Sequence, residues 1–134
     1  MTYLLDTNVC IRYINGRSSQ VAERLKATPP NEIVVCSIVK AELFYGSRRS
    51  HHPERSLQVQ NIFLRPFLSL PFDDTAAVAY ADIRADLAER GLLIGPNDLM
   101  IAAIAVAHGL VLATHNVREF GRIPALQIED WEAV

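Results

Sequence analysis

The chain has 134 residues, 50% hydrophobic and 21% charged, with a formal net charge of −2. This length gives one domain with a sizeable core, and the composition excludes a disordered chain. With no apolar run near the roughly 20 residues of a membrane span and no basic, apolar leader, the cytoplasm is the expected compartment.

The charge is uneven. Residues 1–65 carry nine Lys/Arg against five Asp/Glu; residues 66–134 carry four against ten. A basic half beside an acidic one suits a polyanion held over a cation.

Tyr3-Leu4-Leu5 is a short apolar run ending in Asp6, followed by Thr7, Asn8 and a helical stretch from Val9 to Ile14. The run reads as a buried strand of a parallel sheet, with Asp6 at its carboxyl end, where open α/β sheets place their ligands. Asp6 is equally a helix N-cap by residue type. Residues 18–27 form an amphipathic helix stopped by Pro29-Pro30. Residues 32–36 are a second buried strand. Ser37 is the expected N-cap of a helix reaching about Tyr45, with Gly46 as its stop. Glu42 adjoins apolar residues on that helix, an unusual place for a solvated carboxylate.

A basic loop follows, with Arg48, Arg49, His51 and His52, and then a helix to about Pro66. Residues 67–72, flanked by prolines, read as an edge strand. Asp73-Asp74 open a helix to Arg90, where acids suit the positive end of the helix dipole. Asn97 is the expected cap of a helix from Asp98 to His108, apolar on every side and therefore buried. Leu110 to Thr114 is a third central strand, ending in the polar run Thr114-His115-Asn116, with Glu119 shortly after. Residues 126–128 are the last strand. Strands alternating with helices predict a parallel sheet with right-handed crossovers. Cys10 and Cys36 lie in apolar runs without CxxC spacing and read as reduced core thiols.

Asp6, Glu42 and Asp98 are thus delivered by separate segments to one end of a sheet. Converging carboxylates repel one another unless a cation lies between them, and no arginine stands in these motifs to neutralise them. Mg²⁺ takes oxygen ligands and is held by one or two carboxylates plus water and phosphate. Singly, each acid is also explained by a cap, a dipole partner or a solvated helix edge.

Leu5-Asp6-Thr7-Asn8, then Ser37-x-x-x-Ala41-Glu42-Leu43-x-x-Gly46, then Asn97-Asp98-x-x-Ile101-Ala102-Ala103-x-Ala105, stand in an order that resembles PIN-domain nucleases. The likeness is closer to the VapC toxins of bacterial VapBC toxin–antitoxin pairs. Ala113-Thr114-His115-Asn116-x-x-Glu119-Phe120 is similar to the fourth motif of the family, which often has Asp where Asn116 stands.

The resemblance implies a three-layer α/β/α fold with a mostly parallel sheet of four to five strands, and an endoribonuclease dependent on Mg²⁺ or Mn²⁺. The acidic residues carry over to Asp6, Glu42 and Asp98, with Asp6 and Asp98 as metal ligands. Thr7, Asn8, Ser37 and Thr114 would position them, joined by Asn116 and Glu119. From the distribution of charge, Arg12, Arg17, Arg48, Arg49 and Arg55, on loops or helices following the strands that carry the site, would hold RNA phosphates. The implied partners are a structured RNA such as a tRNA stem-loop, a VapB-like antitoxin whose tail places an Arg or Lys in the acidic pocket, and a second copy of the chain. Apolar surface near Phe44, Phe63, Phe67 and Tyr80 is the expected dimer contact. The alternative, suggested by Asn116, is a PIN domain that binds RNA or protein without cutting. A phosphate-receiving flavodoxin-like domain fits less well, because Asp6 has no adjacent acid and no Lys follows Thr114.

Overall fold

Five parallel strands form one sheet in the order β3-β2-β1-β4-β5. The computed structural model of the chain describes residues 2–133. The strands are β1 (Tyr3–Leu5), β2 (Ile33–Cys36), β3 (Leu68–Leu70), β4 (Val111–Ala113) and β5 (Gln127–Glu129). Between them lie α1 (Thr7–Ile14), α2 (Ser19–Ala27), α3 (Ser37–Arg48), α4 (Pro53–Leu64), α5 (Asp74–Glu89), α6 (Pro96–His108) and α7 (Val117–Phe120).

The chain runs outward from β1 to β3 and then returns across the sheet to β4 and β5. With right-handed crossovers, α1 to α4 cover one face and α5 to α7 the other. The helix contacts follow this division, with α1, α2, α3 and α4 packed among themselves and α5 along α6, and α3 meets α6 where the two groups approach. The progression therefore reverses between β1 and β4, neighbours whose following helices leave on opposite faces. A crevice opens at the carboxyl ends of such a pair, and it is where α/β sheets bind ligands.

Burial follows the sheet. Leu4, Leu5, Ile33, Val35, Cys36, Leu112 and Ala113 are buried in the three central strands, whereas Leu68 on the edge strand β3 is exposed. On α6, Leu99 and the run Ile101–Ala105 are buried, as an all-apolar helix requires. Cys10 and Cys36 are both free and buried, and burial pushes both thiols up.

Local chemistry sets most of the helix ends. Ser18 caps α2 by accepting from the Val21 amide at 3.2 Å, and Asp73 caps α5 through Ala76 at 3.0 Å. Gly109 ends α6 at φ 64°, a left-handed conformation that strains other residues.

Several boundaries depart from the sequence reading: α1 starts at Thr7 instead of Val9, and β3 and β4 are shorter than residues 67–72 and 110–114. Ser37 is the first residue of α3, capped by Cys36 without a side-chain bond; Asn97 lies inside α6, which starts at Pro96. The helix α3 passes through Gly46 to Arg48, because α4 packs against it. The Gln60 amide donates to the Leu43 carbonyl at 2.9 Å, and the Ser47 and Ser56 hydroxyls meet at 2.8 Å. Tertiary contact here outweighs the weak helix propensity of one glycine. Phe44, Phe63, Phe67 and Tyr80 are packed against the core as half-buried residues. The exposed apolar side chains are others, led by Leu68, Val78, Tyr45 and Ile62 at 62–66% exposure.

Candidate active site

Strand register builds the site. Leu5 pairs with Ala113, so the next residues, Asp6 and Thr114, come side by side at the crevice. The ladder continues one step further, with the Asp6 amide donating to Ala113 at 3.0 Å and the Thr114 amide to Glu129 at 3.0 Å. Asp6 is only 4% exposed. Its Oδ1 accepts from the Thr7 amide at 2.8 Å, which makes it the N-cap of α1, and its Oδ2 accepts from the Thr114 hydroxyl at 2.7 Å. The cap and the site are one residue, so the two readings of Asp6 are both correct.

A second chain of bonds fixes Glu42. The Thr7 hydroxyl donates to Glu42 Oε1 at 2.5 Å, and the Asn97 amide donates to Oε2 at 3.5 Å. Thr7 therefore serves two carboxylates, one through its backbone and one through its side chain. Asn97 uses its side chain to tie α6 to α3 instead of capping α6. Behind Thr114, the Asn116 amide donates to its hydroxyl at 3.0 Å, which leaves the hydroxyl proton directed at Asp6.

Asp98, in the first turn of α6, completes the group. Its carboxyl is pushed up to about 6 by burial first, and then by Asp6, Glu42 and Glu119 in that order. Asp6 is also raised: burial outweighs the two hydrogen bonds that oppose it, and Glu42 adds to it. The charges of Asp6, Glu42 and Glu119 thus act on Asp98, and that of Glu42 acts on Asp6. Among the described residues no Lys or Arg pairs with any of the four; the ion pairs join Arg12 to Glu132, Arg24 to Glu129, Arg90 to Asp86 and His115 to Asp130.

The donor set suits a hard divalent cation. Asp6 and Asp98 offer oxygen only, and each Asp6 oxygen keeps a lone pair beyond the bond it accepts. Among the described residues no three His, Cys, Asp or Glu side chains converge tightly enough to hold a metal by themselves. The fit is thus to an ion that keeps waters and shares phosphate oxygens, as Mg²⁺ does.

The remaining sequence candidates divide. Asn8 and Asn116 line a cavity of about 550 Å³ beside the carboxylates, with Arg12, Arg17, His115 and Glu132. Arg48 lies two turns beyond Glu42 on α3 and lines a shallower pocket with His51, His52 and Arg55; Arg49 stacks on Tyr45. Ser37 is exposed and makes no hydrogen bond to the carboxylates among the described residues. Three participants went unforeseen: Asn97 as a partner of Glu42, and Glu132 and Asp130 as partners of Arg12 and His115. The first had a local signal, since Asn97 adjoins Asp98. The others join residues more than a hundred positions or a whole strand apart.

Residues 3–126 match the family model described as the PIN domain. The chain is 41% identical over 131 residues to the tRNA(fMet)-specific endonuclease VapC of Salmonella typhimurium, covering 98% of both. Among solved structures it superposes on the DNA-bound VapBC of Salmonella typhimurium with a TM-score of 0.92 at 41% identity, covering 98% of each chain. On VapBC2 of Rickettsia felis, bound to a promoter DNA fragment, the TM-score is 0.90 at 38% identity, covering 98% of this chain and 99% of that one.

Proposed function

Since the chain belongs to the PIN-domain family, on its VapC branch, we propose that it is an endoribonuclease that acts as the toxin of a toxin–antitoxin pair. The observation that carries this reading is the convergence of Asp6, Glu42 and Asp98 at the crevice between β1 and β4, with no basic partner among the described residues.

Mg²⁺ or Mn²⁺ is the cofactor in this reading, held by Asp6 and Asp98. When bound, it supplies charge stabilisation at the scissile phosphate. The chain's own residues do the rest. Thr7 and Thr114 fix both oxygens of Asp6, so that the carboxylate is preorganised. Glu42, pinned through Oε1 by Thr7, presents Oε2 as the acceptor for the proton of the attacking water. Glu119 adds negative charge beside Asp98, where the family often has an Asp in place of Asn116. His51 and His52 lie in the α3–α4 loop and His115 is engaged by Asp130, so no histidine pair flanks the site to activate a ribose hydroxyl. Water attack therefore leaves a 5′-phosphate and a 3′-hydroxyl.

The substrate in this reading is a structured RNA, for which a tRNA is the first choice because the Salmonella typhimurium relative is named for tRNA(fMet). The partner is a VapB-like antitoxin. An Arg or Lys from its tail would supply the positive charge that the four acids lack among the described residues. The expected free state is a homodimer in the cytoplasm; no helix of the described residues is long and apolar enough to cross a membrane.

The test is incubation of the purified protein with total tRNA in Mg²⁺, Mn²⁺ and EDTA, with the product ends mapped. Cleavage in both metals, none in EDTA, and ligatable 5′-phosphate ends are expected. Cyclic phosphate ends or cutting in EDTA would overturn the mechanism. RNA binding without any cutting would favour the non-catalytic reading.

A further inference from the structure

We infer that the cavity beside the carboxylates, between α1 and the residues following β4 and β5, is a phosphate subsite for the nucleotide flanking the cut, and that Glu132 occupies its arginine in the free protein. This rests on the nuclease reading above, and it adds where the neighbouring phosphate goes and what holds that place beforehand.

The cavity is joined to the reactive acids through two residues. Asn8 lies two positions after Asp6, and Asn116 donates its amide to the same Thr114 hydroxyl that holds Asp6. Arg12 follows one turn after Asn8 on α1, about 6 Å along the helix axis. Arg17 comes from the turn after α1. The charged groups lining the cavity that are not spent on an outside partner are two guanidinium groups and one carboxylate. The carboxylate is Glu132, whose Oε1 lies 3.4 Å from Arg12 Nε, with the Glu132 side chain only 13% exposed. Arg17 is in none of the ion pairs among the described residues.

Fork-shaped guanidinium donors match phosphate oxygens in two contacts at once. His115 turns its Nδ1 to Asp130 at 3.1 Å, which leaves Nε2 for a ligand, and Asn8 and Asn116 add amide groups suited to sugar or base edges. Such a mixture fits a nucleotide better than it fits an acidic peptide, which would need the cations without the amides. An incoming phosphate must displace Glu132 from Arg12. The segment after β5 thus carries an internal anion that competes with RNA for its own site.

The assay reads binding without cutting. The parent is the Asp98→Asn variant in EDTA, and the probe is a short fluorescein-labelled oligoribonucleotide followed by anisotropy across a range of salt. Arg12→Ala and Arg17→Ala should each weaken binding about 5- to 10-fold and lower the salt slope by about one. Arg12→Lys and Arg17→Lys, which keep the charge, should keep the slope. Glu132→Gln should tighten binding roughly 3- to 10-fold, because the competing carboxylate is gone. Arginine variants that bind as the parent does would overturn the subsite, and weaker binding by Glu132→Gln would overturn the competition. A poly-glutamate competitor that displaces RNA at equal charge concentration would show a site for acidic peptide and also overturn the assignment. If the wild type cuts RNA in Mg²⁺ while these variants leave binding unchanged, the nuclease reading stands and this inference alone falls. If the parent binds no RNA and the wild type cuts none, both fall.

Discussion

The hydroxyl of Thr7 donates to Glu42 at 2.5 Å across 35 positions of sequence, while the amide of the same residue donates to Asp6. One small side chain therefore sets the spacing of two acids from different elements. A valine has nearly the same shape without the hydroxyl, and it leaves Glu42 unheld. Thr7→Val should lower kcat/KM on RNA about 10- to 100-fold with little change in melting temperature, since loss of a supporting bond typically costs that much. Thr7→Ser should retain most of the activity. Equal loss in both variants would show that the methyl group, not the hydroxyl, is what matters.

Asp98 gives a stability test with a definite sign. Its carboxyl is raised from 3.8 to about 6 in the folded protein by burial and by Asp6, Glu42 and Glu119. The fold thus binds this proton more tightly than the unfolded chain does. The corresponding stability is complete below about pH 4 and is lost as the pH rises through about 6. In EDTA at neutral pH, Asp98→Asn should therefore melt above the wild type, by about 1–2 kcal/mol after allowance for solvent screening. The gap should close on acidification to about pH 4. A gap that is flat with pH would mean that Asp98 does not titrate as placed here.

Divalent metal should reverse that order. A cation bound only by the folded protein raises its stability by about 2.7 kcal/mol at a hundredfold excess over Kd. Wild type should gain in melting temperature with Mg²⁺, and Asp6→Asn and Asp98→Asn should gain little. Cleavage should decline as the pH falls toward 6 and below, because protons compete with metal for Asp98. A wild-type melting curve indifferent to Mg²⁺ and Mn²⁺ would count against the two-carboxylate site.

Thr114 is fully buried, and its hydroxyl supplies one of two bonds to Asp6. Thr114→Val deletes that donor and raises Asp6 further. While the carboxylate is charged, the loss should be about 1–3 kcal/mol, the cost of an unmet buried acceptor. It should shrink in acid, where a protonated Asp6 needs less. Thermal melts of the variant at two pH values decide it; equal losses at both would place the cost in packing.

The sheet, its crossovers and its three principal acids were legible because each rests on a local signal. A short apolar run ending in a polar cluster names a strand and its carboxyl end, as at Leu5-Asp6 and Ala113-Thr114. The all-apolar stretch after Asp98 names a buried helix. What the sequence hid was pairing between distant segments. Nothing beside Thr7 announces Glu42, and nothing beside Arg12 announces Glu132. The glycine at 46 misled for the same reason, since the contacts that carry α3 past it come from Gln60 and Ser56 on α4. The apolar surface expected near Phe44, Phe63, Phe67 and Tyr80 is present on their neighbours Tyr45, Ile62, Leu68 and Val78, while the four named rings pack partly buried against the core.

The bond between Thr114 and Asp6 spans 108 positions. β1 is synthesised before β4, yet it is completed as a central strand only when β4 arrives beside it. At roughly 5–20 residues per second, synthesis of the intervening chain takes on the order of ten seconds. Until then Asp6 lacks the Thr114 hydroxyl that holds one of its two oxygens, although Thr7 and Glu42 are already beside it. The carboxylate crevice is therefore a product of late folding, set only when the second half of the chain lies against the first.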